Sequence, residues 1–153
     1  MKRMKYLLLL LLFSIPAVAF AQDAEAEAPA EFFEFENEYS HALRAAAEID
    51  RAVFIFGYTS WSGPSQRMLS DVFSDENLRE TFQKYFVTLK LDMEKGDGIQ
   101  VARDQRVMAY PAHLFILPDE SQMSKSMGVK SVEEMIGLLD EALAPYFPEG
   151  RPE

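Results

Sequence analysis

Three apolar runs punctuate the chain, and each has the length and composition of a buried strand. Ala52 to Tyr58 carries Val53-Phe54-Ile55-Phe56 without a charge, Phe86 to Asp92 is the second run, and His113 to Leu117 the third. Between them the apolar spacing turns helical. Tyr39 to Asp50 places Ala42, Leu43, Ala46 and Ala47 on one face. Ser65 to Phe73 and Asn77 to Tyr85 also read as helices, with Ser74-Asp75 offering an N-cap between them. Gly96-Asp97-Gly98 interrupts the pattern before a helical stretch from Ile99 to Gln105. Pro118-Asp119-Glu120-Ser121 is turn chemistry, which predicts Gln122 to Met127 as the hairpin partner of the third run. In the last helix Ser131 and Glu134 form a capping box. Val132, Met135, Ile136, Leu139, Ala142 and Leu143 follow at helical spacing, and Pro145 and Pro148 end it.

Phe32, Phe33 and Phe35 precede all of this and are too apolar for a linker. They predict a short first strand, or a segment tucked against the domain. The order is then β-α-β-α-α-β-α-β-β-α. A strand, a helix and another buried strand imply a right-handed parallel crossover, and the late hairpin adds antiparallel strands. The expected fold class is α/β, a central mixed sheet flanked by helices on both faces.

The N-terminus changes the picture of where the domain begins. Lys2, Arg3 and Lys5 precede an apolar run from Leu7 to Phe20, and Ala19-Phe20-Ala21 supplies a small-x-small cleavage pattern before Gln22. Residues 1–21 therefore read as a cleaved secretory signal, with a retained N-terminal anchor as the alternative, and the expected location is periplasmic or secreted. Residues 22–36 read as an acidic tether, a spacer or a docking arm: from Gln22 to Glu38 there are seven acidic residues and no basic one. Residues 37–147 form the expected domain, and 148–153 a short tail. The formal charge of −10 becomes −13 once the three basic residues of the signal are removed. That balance disfavours nucleic acid and anionic lipid and favours a basic partner.

The chain contains no cysteine, so no disulfide can stabilise it in an oxidising compartment. This absence matters most at Trp61-Ser62-Gly63-Pro64-Ser65. With cysteine at both serine positions, that stretch would be the dithiol motif Trp-Cys-Gly-Pro-Cys. It follows a buried strand and opens a helix, and Tyr110-Pro111 lies just before the next strand. With the hairpin, the C-terminal helix, Val72-Phe73-Ser74-Asp75-Glu76 and Lys90-Leu91-Asp92-Met93-Glu94, these features resemble the thioredoxin superfamily over residues 31 to 147. The likeness is to exported thioredoxin-like domains and thiol:disulfide interchange proteins in particular.

The resemblance implies a thioredoxin-like fold, with Ser62 and Ser65 at the positions of the family's redox cysteines. It also implies a binding surface of Trp61, Gly63, Pro64, Tyr110 and Pro111, with Pro111 on a cis peptide bond facing the motif. The physical logic separates the two roles. A cysteine at a helix N-terminus is drawn toward thiolate and attacks disulfides. A serine hydroxyl stays un-ionised and forms no mixed disulfide, so Ser62 is better described as an N-cap and Ser65 as a small first-turn residue. Pro64 suits the early helix, where its missing N–H is not needed. Where many relatives carry a buried carboxylate six residues before the first cysteine, this chain has Phe56.

Other chemistries fare worse. Serine hydrolysis needs a base, and the histidines are His41 on the first helix and His113 on the third strand; no Gly-x-Ser-x-Gly elbow exists. Met68, Met108 and His113 would have to converge to hold a soft metal, and methionines at such positions are usually core. No cofactor or metal is expected. The function expected is a non-catalytic module that holds an exported protein or an extended peptide, with no nucleic acid and no stable membrane insertion after signal cleavage. The alternative is a thiol:disulfide oxidoreductase in which serine has replaced cysteine at positions 62 and 65.

Overall fold

A computed structural model describes residues 31–152. The expected signal segment, and the expected tether up to residue 30, lie outside the described residues. Within the described residues, the elements follow the expected order: β1 (Phe35–Glu36), α1 (Tyr39–Glu48), β2 (Ala52–Tyr58), α2 (Gly63–Asp71), α3 (Glu76–Tyr85), β3 (Phe86–Asp92), α4 (Asp97–Asp104), β4 (Ala112–Ile116), β5 (Gln122–Met127) and α5 (Val132–Leu143).

The sheet runs β1-β3-β2-β4-β5. β1 and β2 pair with β3 in parallel, β4 pairs antiparallel with β2, and β5 antiparallel with β4. This is a mixed α/β sheet of thioredoxin-like form. β2 lies at its centre, and for that reason Val53 to Gly57 is buried without interruption.

Period-two alternation sorts the two faces by shape. Phe54 stands opposite Phe115 and Phe56 opposite His113. The intervening Val53 and Ile55 stand opposite Ile116 and Leu114, and beside Val87 and Leu89. One face is thus aromatic, covered by Met68 of α2, Leu78 and Phe82 of α3, and Met135, Leu139, Ala142 and Leu143 of α5. The other is aliphatic, covered by Tyr39, Ala42 and Ala46 of α1 and Val101 of α4.

The helix starts follow capping chemistry. The Asp75 carboxylate accepts from the Leu78 N–H at 2.8 Å, which starts α3 one residue earlier than the apolar pattern suggests. At α5, Ser131 Oγ accepts from the Glu134 N–H and the Glu134 carboxylate accepts from the Ser131 N–H, completing the capping box. α4 begins at Asp97 rather than Ile99, after Gly96 in left-handed backbone, and Gly98 packs against the Asp92 carbonyl, where a Cβ would lie 1.9 Å from the oxygen.

Both ends of the domain extend beyond the expected limits of 37 and 147. Phe32 is only 4 % exposed, within the aromatic cluster. Thr88 ties the segment down, donating its hydroxyl to the Phe32 carbonyl at 2.8 Å and its N–H to the Glu34 carboxylate at 3.0 Å. Residues 32–36, within the expected tether bounds, are therefore part of the packed fold, as the reading of Phe32, Phe33 and Phe35 as a short strand or tucked segment expects. At the other end the Pro152 carbonyl accepts from the Tyr85 hydroxyl at 2.6 Å, and Arg151 pairs with Asp140 at 2.7 Å, which docks the expected tail. Among the described residues no helix is long and apolar enough to cross a membrane.

Candidate functional site

β2 delivers the chain through Thr59 into Trp61-Ser62-Gly63-Pro64-Ser65, and α2 starts at once. Ser62 is the N-cap, in extended backbone geometry, with Pro64 in the first turn. Its Oγ accepts from the Ser65 N–H at 3.3 Å and from the Ser65 hydroxyl at 2.9 Å. The Ser62 N–H donates to the Thr59 carbonyl at 3.1 Å, which fixes the turn into the helix. Both serines are buried, Ser62 at 4 % exposure and Ser65 at 0 %. The Ser65 hydroxyl and N–H thus both find their acceptor in Ser62 Oγ beneath the surface.

The floor of this site is apolar. His113 is fully buried, its ring 5.8 Å from that of Phe56 and 6.4 Å from that of Phe54. Its Nε2–H donates to the Gly128 carbonyl at 2.9 Å, which leaves Nδ1 as an unprotonated nitrogen without a partner. Burial holds the imidazole neutral, with its pKa pushed down to about 4 despite the Gly128 carbonyl, and Lys130 adds to the depression. No hydrogen bond joins His113 to either serine. His41, the other candidate base, is exposed on α1 and paired with Glu38 at 2.6 Å. The Thr59 hydroxyl is also buried without a partner.

The rim is the opposite. Trp61 is 68 % exposed, and its indole meets the Tyr110 ring edge-to-face at 6.3 Å. The Tyr110–Pro111 peptide bond is cis, and the Pro111 carbonyl accepts from the Gly128 N–H at 2.8 Å. Trp61 thus meets the half-buried Tyr110, and Pro111 lies buried directly behind it. Glu94, just past β3, was not singled out from the sequence. Its carboxylate accepts from the Trp61 Nε1–H at 2.9 Å and fixes the ring. The Lys90-to-Glu94 stretch was conspicuous, but nothing in it reveals a partner 33 residues away. Beside Glu94, the nearly buried Asp92 carboxylate pairs with Lys95 at 3.1 Å and holds that ammonium charged. Burial, then Glu94 and Asp92, raise the Tyr110 hydroxyl above the ordinary tyrosine range.

Met68 and Met108 do not come together with His113 in one environment. Met68 is buried in the aromatic cluster, where its sulfur accepts from the Lys130 N–H at 3.4 Å, while Met108 is 89 % exposed. Among the described residues no group of three His, Asp or Glu side chains is placed to hold a metal ion.

A buried hydroxyl pair without a base can form no covalent bond to a substrate under ordinary conditions. Beside it, the Trp61 ring is largely open to solvent, while Tyr110 is half-buried against the aliphatic cluster.

Residues 34–118 match a family model described as thioredoxin-like. The solution structure of a candidate disulphide-isomerase from Bacteroides thetaiotaomicron is similar at 31 % identity. That match covers 76 % of this chain and 97 % of the other, with a TM-score of 0.64. A thioredoxin from Thermus thermophilus shares the fold at 20 % identity, over 74 % of this chain and 92 % of its own, with a TM-score of 0.63. An oxidoreductase named DsbH does so at 15 % identity, over 80 % and 92 %, with a TM-score of 0.62. Among curated proteins none matches in sequence.

Proposed function

The chain belongs to the thioredoxin-like family, and we propose that it is a binding member of that family, which holds an extended segment of a client protein without exchanging disulfides. One observation carries this reading: the Ser65 hydroxyl donates to Ser62 Oγ at 2.9 Å inside the fold, where the family's chemistry needs two sulfurs. Oxygen supplies neither the thiolate nor the mixed disulfide of exchange. The exposed Trp61 indole, with the half-buried Tyr110 ring against it, supports contact with the side chains of an extended peptide.

Insulin reduction by a dithiol, followed by turbidity, tests the chemistry. The chain as it stands gives no rate above the dithiol alone, and measurable turnover defeats the proposal. Isothermal titration with an unfolded, thiol-blocked client protein tests the binding. The expected result is saturable binding that Trp61→Ala/Tyr110→Ala weakens about tenfold.

A second reading has its own support. The N-cap position of Ser62, with the proline of the first turn and Ser65 three residues on, supports it, because this is the placement the family's dithiol takes. Read so, the protein is a thiol:disulfide oxidoreductase in which serine stands for both cysteines. Ser62→Cys/Ser65→Cys distinguishes the two: this second reading expects a return of insulin reduction, slowed by the absence of a carboxylate at Phe56. A folded, oxidisable dithiol with no activity removes it.

The N-terminal pattern of Lys2, Arg3, Lys5, the apolar run and Ala19-Phe20-Ala21 supports export with cleavage before Gln22. N-terminal sequencing of the mature protein checks this; a chain still beginning at Met1 overturns it.

A further inference from the structure

We infer that the client segment held at the Trp61 surface presents a cationic side chain, arginine best, which lies on the exposed indole and pairs with Glu94. This rests on the reading of that surface as a client-binding site and names the class of client.

Glu94 places a negative charge beside the indole. Glu94 is exposed, and one of its oxygens accepts the indole N–H at 2.9 Å. Among the described residues no basic side chain forms an ion pair with it; the adjacent Lys95 ammonium feels its charge but is directed to Asp92, 3.1 Å away. The hydrogen bond also holds the indole in one orientation, and beyond its T-shaped contact with Tyr110 the ring is largely in solvent. A fixed, open aromatic face beside an unpaired carboxylate is the arrangement that attracts a cation through both the ring quadrupole and charge. A planar guanidinium can stack on the ring while donating to the second carboxylate oxygen, which an ammonium cannot do. Burial first, and then Glu94 and Asp92, raise the Tyr110 hydroxyl, so the same carboxylates act on both rings of the pair. The formal charge of −10 adds long-range attraction for a basic segment.

Three capped peptides, Val-Ser-Val-X-Val-Ser-Val with X arginine, glutamine or glutamate, provide the test. Trp61 is the only tryptophan, so its emission reports occupancy directly, with calorimetry as the second measurement. At low salt the arginine peptide binds about tenfold tighter than the glutamine peptide, and the glutamate peptide is weakest. Glu94→Gln keeps an oxygen to accept the indole N–H but removes the charge. It reduces the arginine advantage to about twofold and flattens its salt dependence. Equal binding of the arginine and glutamine peptides, or an arginine advantage that survives Glu94→Gln, overturns the inference while the client-binding reading stands. If none of the three peptides binds, both fall.

Discussion

The two faces of the sheet are built from the same strands and pack by different rules. The aromatic face holds seven buried phenylalanines, Phe32, Phe54, Phe56, Phe73, Phe82, Phe86 and Phe115, and the aliphatic face holds none. On the aliphatic side, Ala42 and Ala46 of α1 are wholly buried one turn apart, so the helix backbone comes close to the strands. On the aromatic side, rings fill a thicker layer with edge-to-face and tilted contacts, Phe54 to Phe82 at 4.8 Å among them. The motif sits over the aromatic side, because α2 packs there. The contrast teaches why the floor of the site is inert. Phe56 and His113 share a layer in which an ion is costly, and the imidazole accordingly stays neutral.

The largest effect expected is on the ring layer itself. Phe54→Ala costs about 4 kcal/mol in urea unfolding. The milder Phe54→Leu/Phe82→Leu pair deviates from additivity by about 1 kcal/mol, whereas Phe54→Leu combined with Leu114→Val across the sheet adds to within about 0.5 kcal/mol. Coupling of equal size through the sheet would erase the distinction between the faces.

Next comes His113. Its folded pKa of about 4 lies below the usual 6.5, so the unfolded chain takes up the proton first as pH falls. Stability from this group is complete above pH 6.5, declines from there to about pH 4, and amounts to about 3 kcal/mol in all. His113→Leu lacks this component, and the gap between the two unfolding curves should narrow or reverse over that window. Parallel curves would mean that the ring is accessible to protons in the folded state.

A smaller effect belongs to the serine pair. Ser62→Ala removes the α2 cap and leaves a buried Ser65 hydroxyl without its partner, for about 1.5 kcal/mol. Adding Ser65→Ala costs little more, because the orphan disappears with it; a fully additive double variant would show that the pair does not act as a unit. Smallest is Gly137→Ala on the outer side of α5, where an added Cβ meets nothing within 4 Å. It should stabilise by about 0.7 kcal/mol, read as a rise in the urea midpoint.

Much of this fold was legible along the chain, since element order depends on local periodicity and caps. Val53-Phe54-Ile55-Phe56 announced a buried strand, and Ser131 with Glu134 announced α5. The sorting of rings to one face was present in the same four residues, as an alternation of branched and aromatic side chains. It reads simply as apolar until neighbouring strands fix which side each partner takes. Phe32 was ambiguous for a related reason: its burial depends on Thr88, 56 residues away. The site divides along the same line. Ser62 and Ser65 are legible because a helix start is local, while Glu94 joins Trp61 only through tertiary contact, and the exposure of Met108 follows from how its loop is laid down.

The way the N-terminal segment enters the fold has a mechanical consequence. Gln83 donates to the carbonyls of Glu31 and Phe32, Thr88 grips Phe32 and Glu34, and the Phe32 ring is wedged 4.5 Å from that of Phe73. A pull on the chain from the N-terminal side of Glu31 is therefore resisted at the base of the aromatic layer, by a plug rather than a frayed end. The hold lies at the β1 edge of the sheet, where the segment joins β3.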